Sequence, residues 1–518
     1  MVLTGFKTIA QNNYWQQYLQ YSIDAQLNDK EKSITGSETI VYKNNSPEAL
    51  SFIWFHIYPN AYKDLSTALF QQIKNDPKKK GNSNKMLGGS ISNLAFTVNG
   101  KPATTEAHPN LQYIDIVKVV LPQPLQPGDS ATIATPFKVQ LPNYGSRSGY
   151  TDGEFMICQW YPKPAVFDKD GWHEMPYLDM GEFYSEYATY KVNITVPAAY
   201  VVSATGLLQT PAELAAYKTI GSFNVHRGDS KPKLYTPTLE ANKTLSYYAD
   251  SVPDFAWFAD KGFIVDYDTI QLSSGKVINA FTFYYNNNNT PWKNSIGYVK
   301  DAIQHYSNWI GEYAYPIVQA VEGPKNNSSG GMEYPTVTLI TSPDAKPATL
   351  DAVITHEVGH NWFMSMLGSN ERIHPWMDEG MNSYFQFRYE AEKYRGNTIF
   401  GDRIPDVVKK LSEEDFQDAV YKTMMTIPIQ PAVETASATY SSSEDYGLTS
   451  YVKAAEWMYL LERTVGKEKV DKAFQNYFTQ WRFKHLQPSD LKAAFEQAIG
   501  GNLTQFFNLL NKEGKLVE

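Results

Sequence analysis

The stretch Thr355-His356-Glu357-Val358-Gly359-His360-Asn361-Trp362 limits this chain more than any other. Helical residues four apart project from one face, so a helix here aims the His356 and His360 imidazoles at one ion. Glu357 sits about a third of a turn from His356, near enough to hold a metal-bound water without ligating the metal. The surroundings suit a helix. Leu350, Ile354, Val358 and Trp362 recur at i+4, Thr349 or Asp351 can cap the start, and Gly368 can end it. Two neutral nitrogens leave a zinc site incomplete, because an open zinc centre takes three protein ligands and keeps a fourth position for water. The third ligand is expected shortly downstream, on a second helix.

Glu379 fits that role, in Pro375-Trp376-Met377-Asp378-Glu379-Gly380-Met381-Asn382-Ser383-Tyr384-Phe385, with residues 361–378 between it and His360. Two further segments carry chemistry. Upstream is Gly330-Gly331-Met332-Glu333-Tyr334-Pro335; downstream is Tyr451-Val452-Lys453-Ala454-Ala455. With these in place the chain resembles the gluzincin aminopeptidases, the family of aminopeptidase N and leukotriene hydrolase. The upstream segment resembles the family's G-x-M-E-N loop, with Tyr334 where Asn is usual, and the downstream one resembles its Y-x-K-G-A. Order and distances match from about residue 14 to the C-terminus.

The resemblance implies a multidomain α+β chain, with an N-terminal all-β, saddle-like domain followed by a thermolysin-like α/β catalytic domain. It implies one Zn(2+) per chain on His356, His360 and Glu379, with Asp378 orienting a ligand. Glu357 is expected to be the general base. Tyr451 is the expected oxyanion donor, with Tyr446 and Tyr440 as fallbacks. Glu333 should anchor a free α-amine, which is mostly cationic at neutral pH. Gln159, in Cys158-Gln159-Trp160-Tyr161-Pro162, aligns with a loop that offers the amine a second group. Gly330, Gly331 and Met332 should line the same substrate cleft, since glycine lets substrate approach the backbone closely. The implied function is hydrolysis of the N-terminal peptide bond of peptides. A gluzincin endopeptidase, with Glu333 structural, is the nearest alternative, and epoxide chemistry is a remote one. A non-catalytic scaffold is a further alternative, against which the intact His356, Glu357, His360 and Glu379 speak.

Bulk properties add bounds. A chain of 518 residues exceeds what one core usually supports, so two or more domains are expected. A net charge of −9 argues against a nucleic-acid binder. Cys158 is the only cysteine, which excludes an internal disulfide. No apolar run approaches the ~18 residues of a transmembrane helix. Met1 to Lys7 lack a leader's apolar core. The Asn286 to Asn289 run and the tyrosine-rich composition lean toward export, with a leader removed, over a cytoplasmic location.

Along the chain, Tyr21, Ile23, Ala25 and Leu27 alternate with polar positions, and Tyr190, Val192, Ile194 and Val196 do so again, so residues 14 to about 249 read as strands of an N-terminal β-sheet domain over 1–249. The Asn75 to Gly89 stretch, with Lys78, Lys79 and Lys80, reads as a solvated loop. The pattern changes near 250, which gives a catalytic unit over 250–518. There Thr336 to Ile340 reads as an edge strand beside the zinc helix, and the part from about 404 reads as helical. The chain stops about where that unit should end, so the helical C-terminal domain of larger members is expected to be missing.

Overall fold

The computed structural model describes residues 14–79, 86–145, 147–151, 153–285, 291–326, 329–395 and 410–517. Met1 to Lys7, Lys80 and Asn286 to Asn289 lie outside them.

The alternation read from the sequence is real. In the strand Tyr18–Asn28, Leu19, Tyr21, Ile23, Ala25 and Leu27 are buried while the residues between them are exposed. That strand pairs antiparallel with Ser33–Lys43 along its length and parallel with Ala188–Pro197. Ser130–Gln140 and Asn242–Val252 extend the nine-stranded sheet on either side. The region is β-rich, as expected, but it also holds two helices, Ala68–Asn75 and Pro211–Val225. The second lies against the strand Phe263–Gln271. A Cβ on Gly221 would come within 2.6 Å of the Tyr267 backbone nitrogen, and Asn224 Nδ2 donates to the Val265 carbonyl at 2.9 Å.

The division expected between 249 and 250 falls inside a strand, since Asn242–Val252 runs through it. Trp257–Asp260 still pairs with Val201–Ala204 and Phe155–Ile157. The second major sheet begins at Phe263, because the turn at Lys261-Gly262 is the first break in that pairing. Its strands run in the order Phe263–Gln271, Val277–Tyr285, Ile317–Glu322, Val337–Ile340, Gly331–Tyr334. The edge strand is therefore Gly331–Tyr334 itself, and Val337–Ile340 lies one place inside, hydrogen-bonded on both sides. What reads as a loop is the rim of the sheet.

Against this sheet pack the helices Ser295–Trp309 and Pro347–Phe363, followed in the chain by Glu379–Tyr394, Ala454–Val465 and Lys467–Trp481. No helix among the described residues is long and apolar enough to cross a membrane. The two halves are joined by buried polar contacts. Ser203 Oγ donates to Gln319 Oε1 at 3.0 Å, Gln319 Nε2 to the Ala204 carbonyl at 2.7 Å, and His485 meets Glu186 at 2.8 Å. The described part of the lysine-rich stretch is likewise anchored. Asp76 accepts from the Ser443 backbone at 3.0 Å, Lys78 meets Glu444 at 2.7 Å, and Lys79 meets Asp179 at 2.5 Å.

Candidate metal centre

The helix Pro347–Phe363 starts with proline at its first turn, where the missing N–H costs nothing. Neither expected cap is used. Thr349 is exposed, and Asp351 is fully buried, accepting from Tyr389 at 2.9 Å and Tyr394 at 2.5 Å. Asp351 thus ties this helix to Glu379–Tyr394. Gly368 does not end the helix either; it lies in the short strand Leu367–Ser369, where a Cβ would meet Tyr187 Oη at 2.7 Å. Leu350, Ile354, Val358 and Trp362 are all fully buried, so the predicted apolar stripe holds.

The two helices cross closely at Gly359. A Cβ there would fall 2.0 Å from Asn382 Oδ1 and 2.6 Å from the Tyr306 ring. Asn382 uses the approach, donating to the His356 carbonyl at 2.7 Å and accepting from Tyr306 at 2.8 Å. Glycine at this position lets the third ligand reach the first two.

The resulting triangle is small and regular. His356 Nε2 and His360 Nε2 are 3.1 Å apart, and each lies 3.3 Å from Glu379 Oε2. The centre of such a triangle is about 1.9 Å from each corner, just under a Zn–N or Zn–O bond of ~2.0–2.2 Å. The other faces are tied. His360 Nδ1 meets Asp378 Oδ1 at 2.6 Å, and His356 Nδ1 meets Gln386 Oε1 at 2.9 Å, which leaves both Nε2 atoms aimed at the centre. Glu379 Oε2 is buried with no hydrogen-bond partner among the described residues. Burial opposes charge on Glu379, yet His360 and His356 hold its carboxyl well below the ordinary value. Burial likewise opposes charge on His360, but Asp378 and Glu379 override it and pull the imidazole strongly toward the cationic form. The spacing of the two Nε2 atoms and Glu379 Oε2 fits a divalent ion with mixed nitrogen and oxygen preference.

Around the triangle lies a cleft of about 400 Å³. Glu357 lines it with Oε2 buried and without a hydrogen-bond partner among the described residues, and burial pushes its carboxyl up to about 8 against the pull of His360. A Cβ on Gly331 would sit 2.6 Å from that carboxylate, so the edge strand passes Glu357 only because residue 331 is glycine. Gly330 has no such restriction. Tyr451 lies in a π-helical turn, Leu448–Lys453, a geometry common at functional sites. Its hydroxyl donates to Glu379 Oε1, and its ring stacks on His356. Tyr446 stands edge-on to Tyr451 in the same cleft, whereas Tyr440 is spent near Ser450 and does not line it.

Glu333 and Met332 also line the cleft. Glu333 Oε1 is buried without a hydrogen-bond partner among the described residues, and burial, with Glu182 beside it, pushes its carboxyl well above the ordinary value. Gln159 does not line this cleft, but it shares a smaller cavity with Glu182, Met332 and Glu333. Its Nε2 donates to Asp254 at 3.1 Å and its Oε1 accepts from Tyr334 at 3.1 Å, so both ends of the amide serve the strand's support. The group brought beside Glu333 from the first half is Glu182, whose carboxylate lies within 4.8 Å of Glu333 and Glu379 oxygens. No motif marks Glu182, Gln386 or Arg147, and only the packed chain reveals them.

Mixed five-stranded sheet, crossed ligand helices and a two-histidine, one-carboxylate triangle together are of the zinc-metallopeptidase class. More narrowly, residues 295–509 match the peptidase family M1 domain. Leucine aminopeptidase 2 of Emericella nidulans is 30% identical over 202 residues, covering 38% of this chain and 29% of that protein. Glutamyl aminopeptidase of Sus scrofa is 24% identical over 301 residues, covering 54% and 29%. The match thus spans under a third of each of these curated relatives. The fold extends further. An M1 zinc metallopeptidase from Deinococcus radiodurans superposes with a TM-score of 0.62 at 15% identity, covering 96% of this chain and 94% of that one. Legionella pneumophila aminopeptidase A gives 0.64 at 14% identity, over 96% of this chain and 50% of its own.

Proposed function

We propose that the chain is a zinc-dependent aminopeptidase, with one ion held by His356, His360 and Glu379. The observation that carries this reading is a pair of buried carboxylates clustered with Glu379: those of Glu333 and Glu182, whose Oε1 and Oε2 respectively have no hydrogen-bond partner among the described residues. Two such groups are costly to bury alone and are offset by a cation, which a peptide's free N-terminus supplies. When bound, zinc polarises the scissile carbonyl and lowers the pKa of water toward ~7.

The protein's own groups do the rest. Glu333 and Glu182 hold the ammonium and so fix the first peptide bond over the metal triangle. As the water oxygen bonds to the carbonyl carbon, Glu357 takes its proton; as the C–N bond breaks, Glu357 passes that proton to the leaving nitrogen. Tyr451 donates a hydrogen bond to the carbonyl oxygen as charge gathers there. The outer edge of Gly331–Tyr334, unpaired among the described strands, can take the substrate backbone as an added strand. The names of the relatives above support this reading, and a variant of the Deinococcus protein has been solved bound to a Tyr-Ser-Ala substrate.

Two variants test it. His360→Ala should lose zinc by metal analysis. Glu333→Ala should keep zinc but lower kcat/KM for aminoacyl substrates by ~10²-fold or more, since it leaves a cation facing a weakened partner. Full zinc occupancy in the first, or unchanged kcat/KM in the second, contradicts the assignment.

A further inference from the structure

Arg147 brings a cation into the lining of the cleft. It arrives on the loop after the strand Ser130–Gln140, carries no motif, and lines the cleft with its side chain 11% exposed. Its Nη2 donates to Glu182 Oε1, and its Nε points at the Met332 sulfur at 3.0 Å. The guanidinium plane is packed near Tyr177 and Phe183, with ring centroids 6.0 and 5.7 Å away. Arg372 reaches the same segment from the other half, donating to the Met180 carbonyl at 3.0 Å and to that of Pro176 at 3.3 Å. The backbone that delivers Glu182 is thus clamped from both sides.

The division of Glu182's oxygens is the informative feature. Oε1 is occupied by Arg147, while Oε2 is buried with no hydrogen-bond partner among the described residues, and the carboxylate belongs to the same cluster as Glu333. We propose that Arg147 is a positioning residue of the amine site: by holding Glu182 Oε1 it presents Oε2 to the substrate ammonium, and by seating Met332 it fixes the strand that carries Glu333. This rests on the aminopeptidase reading. Two carboxylates this close repel and would separate or share a proton. A guanidinium on one oxygen offsets that repulsion and leaves the other oxygen to the substrate. Arginine suits the task because its planar fork fixes direction, whereas a lysine ammonium is a point charge on a flexible stem.

A double-mutant cycle on the zinc-loaded protein tests the proposal, with KM and kcat measured separately on an aminoacyl fluorogenic substrate. Arg147→Gln should raise KM by ~10-fold or more, the scale of one lost charged contact, with kcat changed far less. Glu182→Gln should do the same. The double variant should be no worse than the worse single, because Arg147 acts through Glu182. Arg147→Lys should restore part of the KM effect. Zinc content and thermal midpoint are read alongside. Should Arg147→Gln fold poorly, the Lys variant carries the test, and an unaltered KM there contradicts the proposal. Additive effects, or an Arg147→Gln variant with native KM, overturn it while leaving the aminopeptidase reading intact. A native protein that ignores free-amine substrates removes that reading first.

Discussion

At the scale of residues, the reading rests on a few groups whose loss has different signatures. Glu357→Gln should retain zinc and lose ~10²–10⁴-fold in turnover, the usual worth of a positioned base. Near-native turnover would transfer the role elsewhere. Tyr451→Phe should lower kcat by ~10²–10³-fold with zinc unchanged, the scale for one oxyanion donor. If Tyr446→Phe does so instead, the neighbouring hydroxyl in the same cleft is the donor. The triangle and Glu357 beside it were legible because their spacing is local: His356, Glu357 and His360 share one helix, and Glu379 opens the next long one. Asp378 was legible as an orienter for the same reason. For Gln159 a sequence does not show that Tyr334 and Asp254 both hydrogen-bond to its amide. Glu182 and Arg147 were not legible at all, since their chemistry comes from meeting Glu333 and Met332, far away in the chain.

At the scale of elements, two constraints can be tested. Gly359→Ala would place a methyl 2.0 Å from Asn382 Oδ1, where the zinc helix and the Glu379 helix cross. Overpacking of this kind costs ~1–3 kcal/mol. Since the same contact positions His356, the variant should lose zinc affinity as well as stability, seen in a chelator competition and a thermal scan. The strand Ser33–Lys43 holds the second. Glu38 is buried there, and neither carboxylate oxygen has a hydrogen-bond partner among the described residues. Burial pushes its carboxyl well above the ordinary value. The folded chain therefore keeps this proton after the unfolded chain has released it. Its contribution to stability is fully present below the ordinary glutamate value and is lost as pH rises, at about 1.4 kcal/mol per pH unit until the folded-state value is reached. Glu38→Gln should remove that decline and stabilise the protein at pH 8 more than at pH 5, measured by urea unfolding. Equal effects at both would contradict it. Alternation made the strand itself legible, but not its acidic buried position. The edge strand was misplaced by one because Gly330-Gly331 reads as loop, while Gly331 is glycine so that a strand can pass Glu357.

At the scale of the whole molecule, the halves share buried polar contacts, Ser203 to Gln319 and Glu186 to His485 among them. These groups would be left unsatisfied if one half unfolded alone, so the two should melt together. Removing zinc with a chelator should lower the midpoint of one transition rather than split it, by up to ~4 kcal/mol if zinc stands near 1,000 times its Kd. Two separate transitions would contradict that coupling. The overall division into a β-rich first part and a sheet with helices was legible from hydrophobic period. Its boundary was not, because Trp257–Asp260 belongs to the earlier sheets by pairing that only the folded chain defines. The central claim is that Glu333 and Glu182 await a free amine. It is tested most directly by comparing kcat/KM of the native, zinc-loaded protein for one tripeptide and for its N-acetyl form. The account predicts that the free peptide loses its first residue and that the acetylated one is inert to within ~1%, the discrimination expected when a buried charge is left unpaired. Efficient internal cleavage of the acetylated peptide would contradict it and favour an endopeptidase.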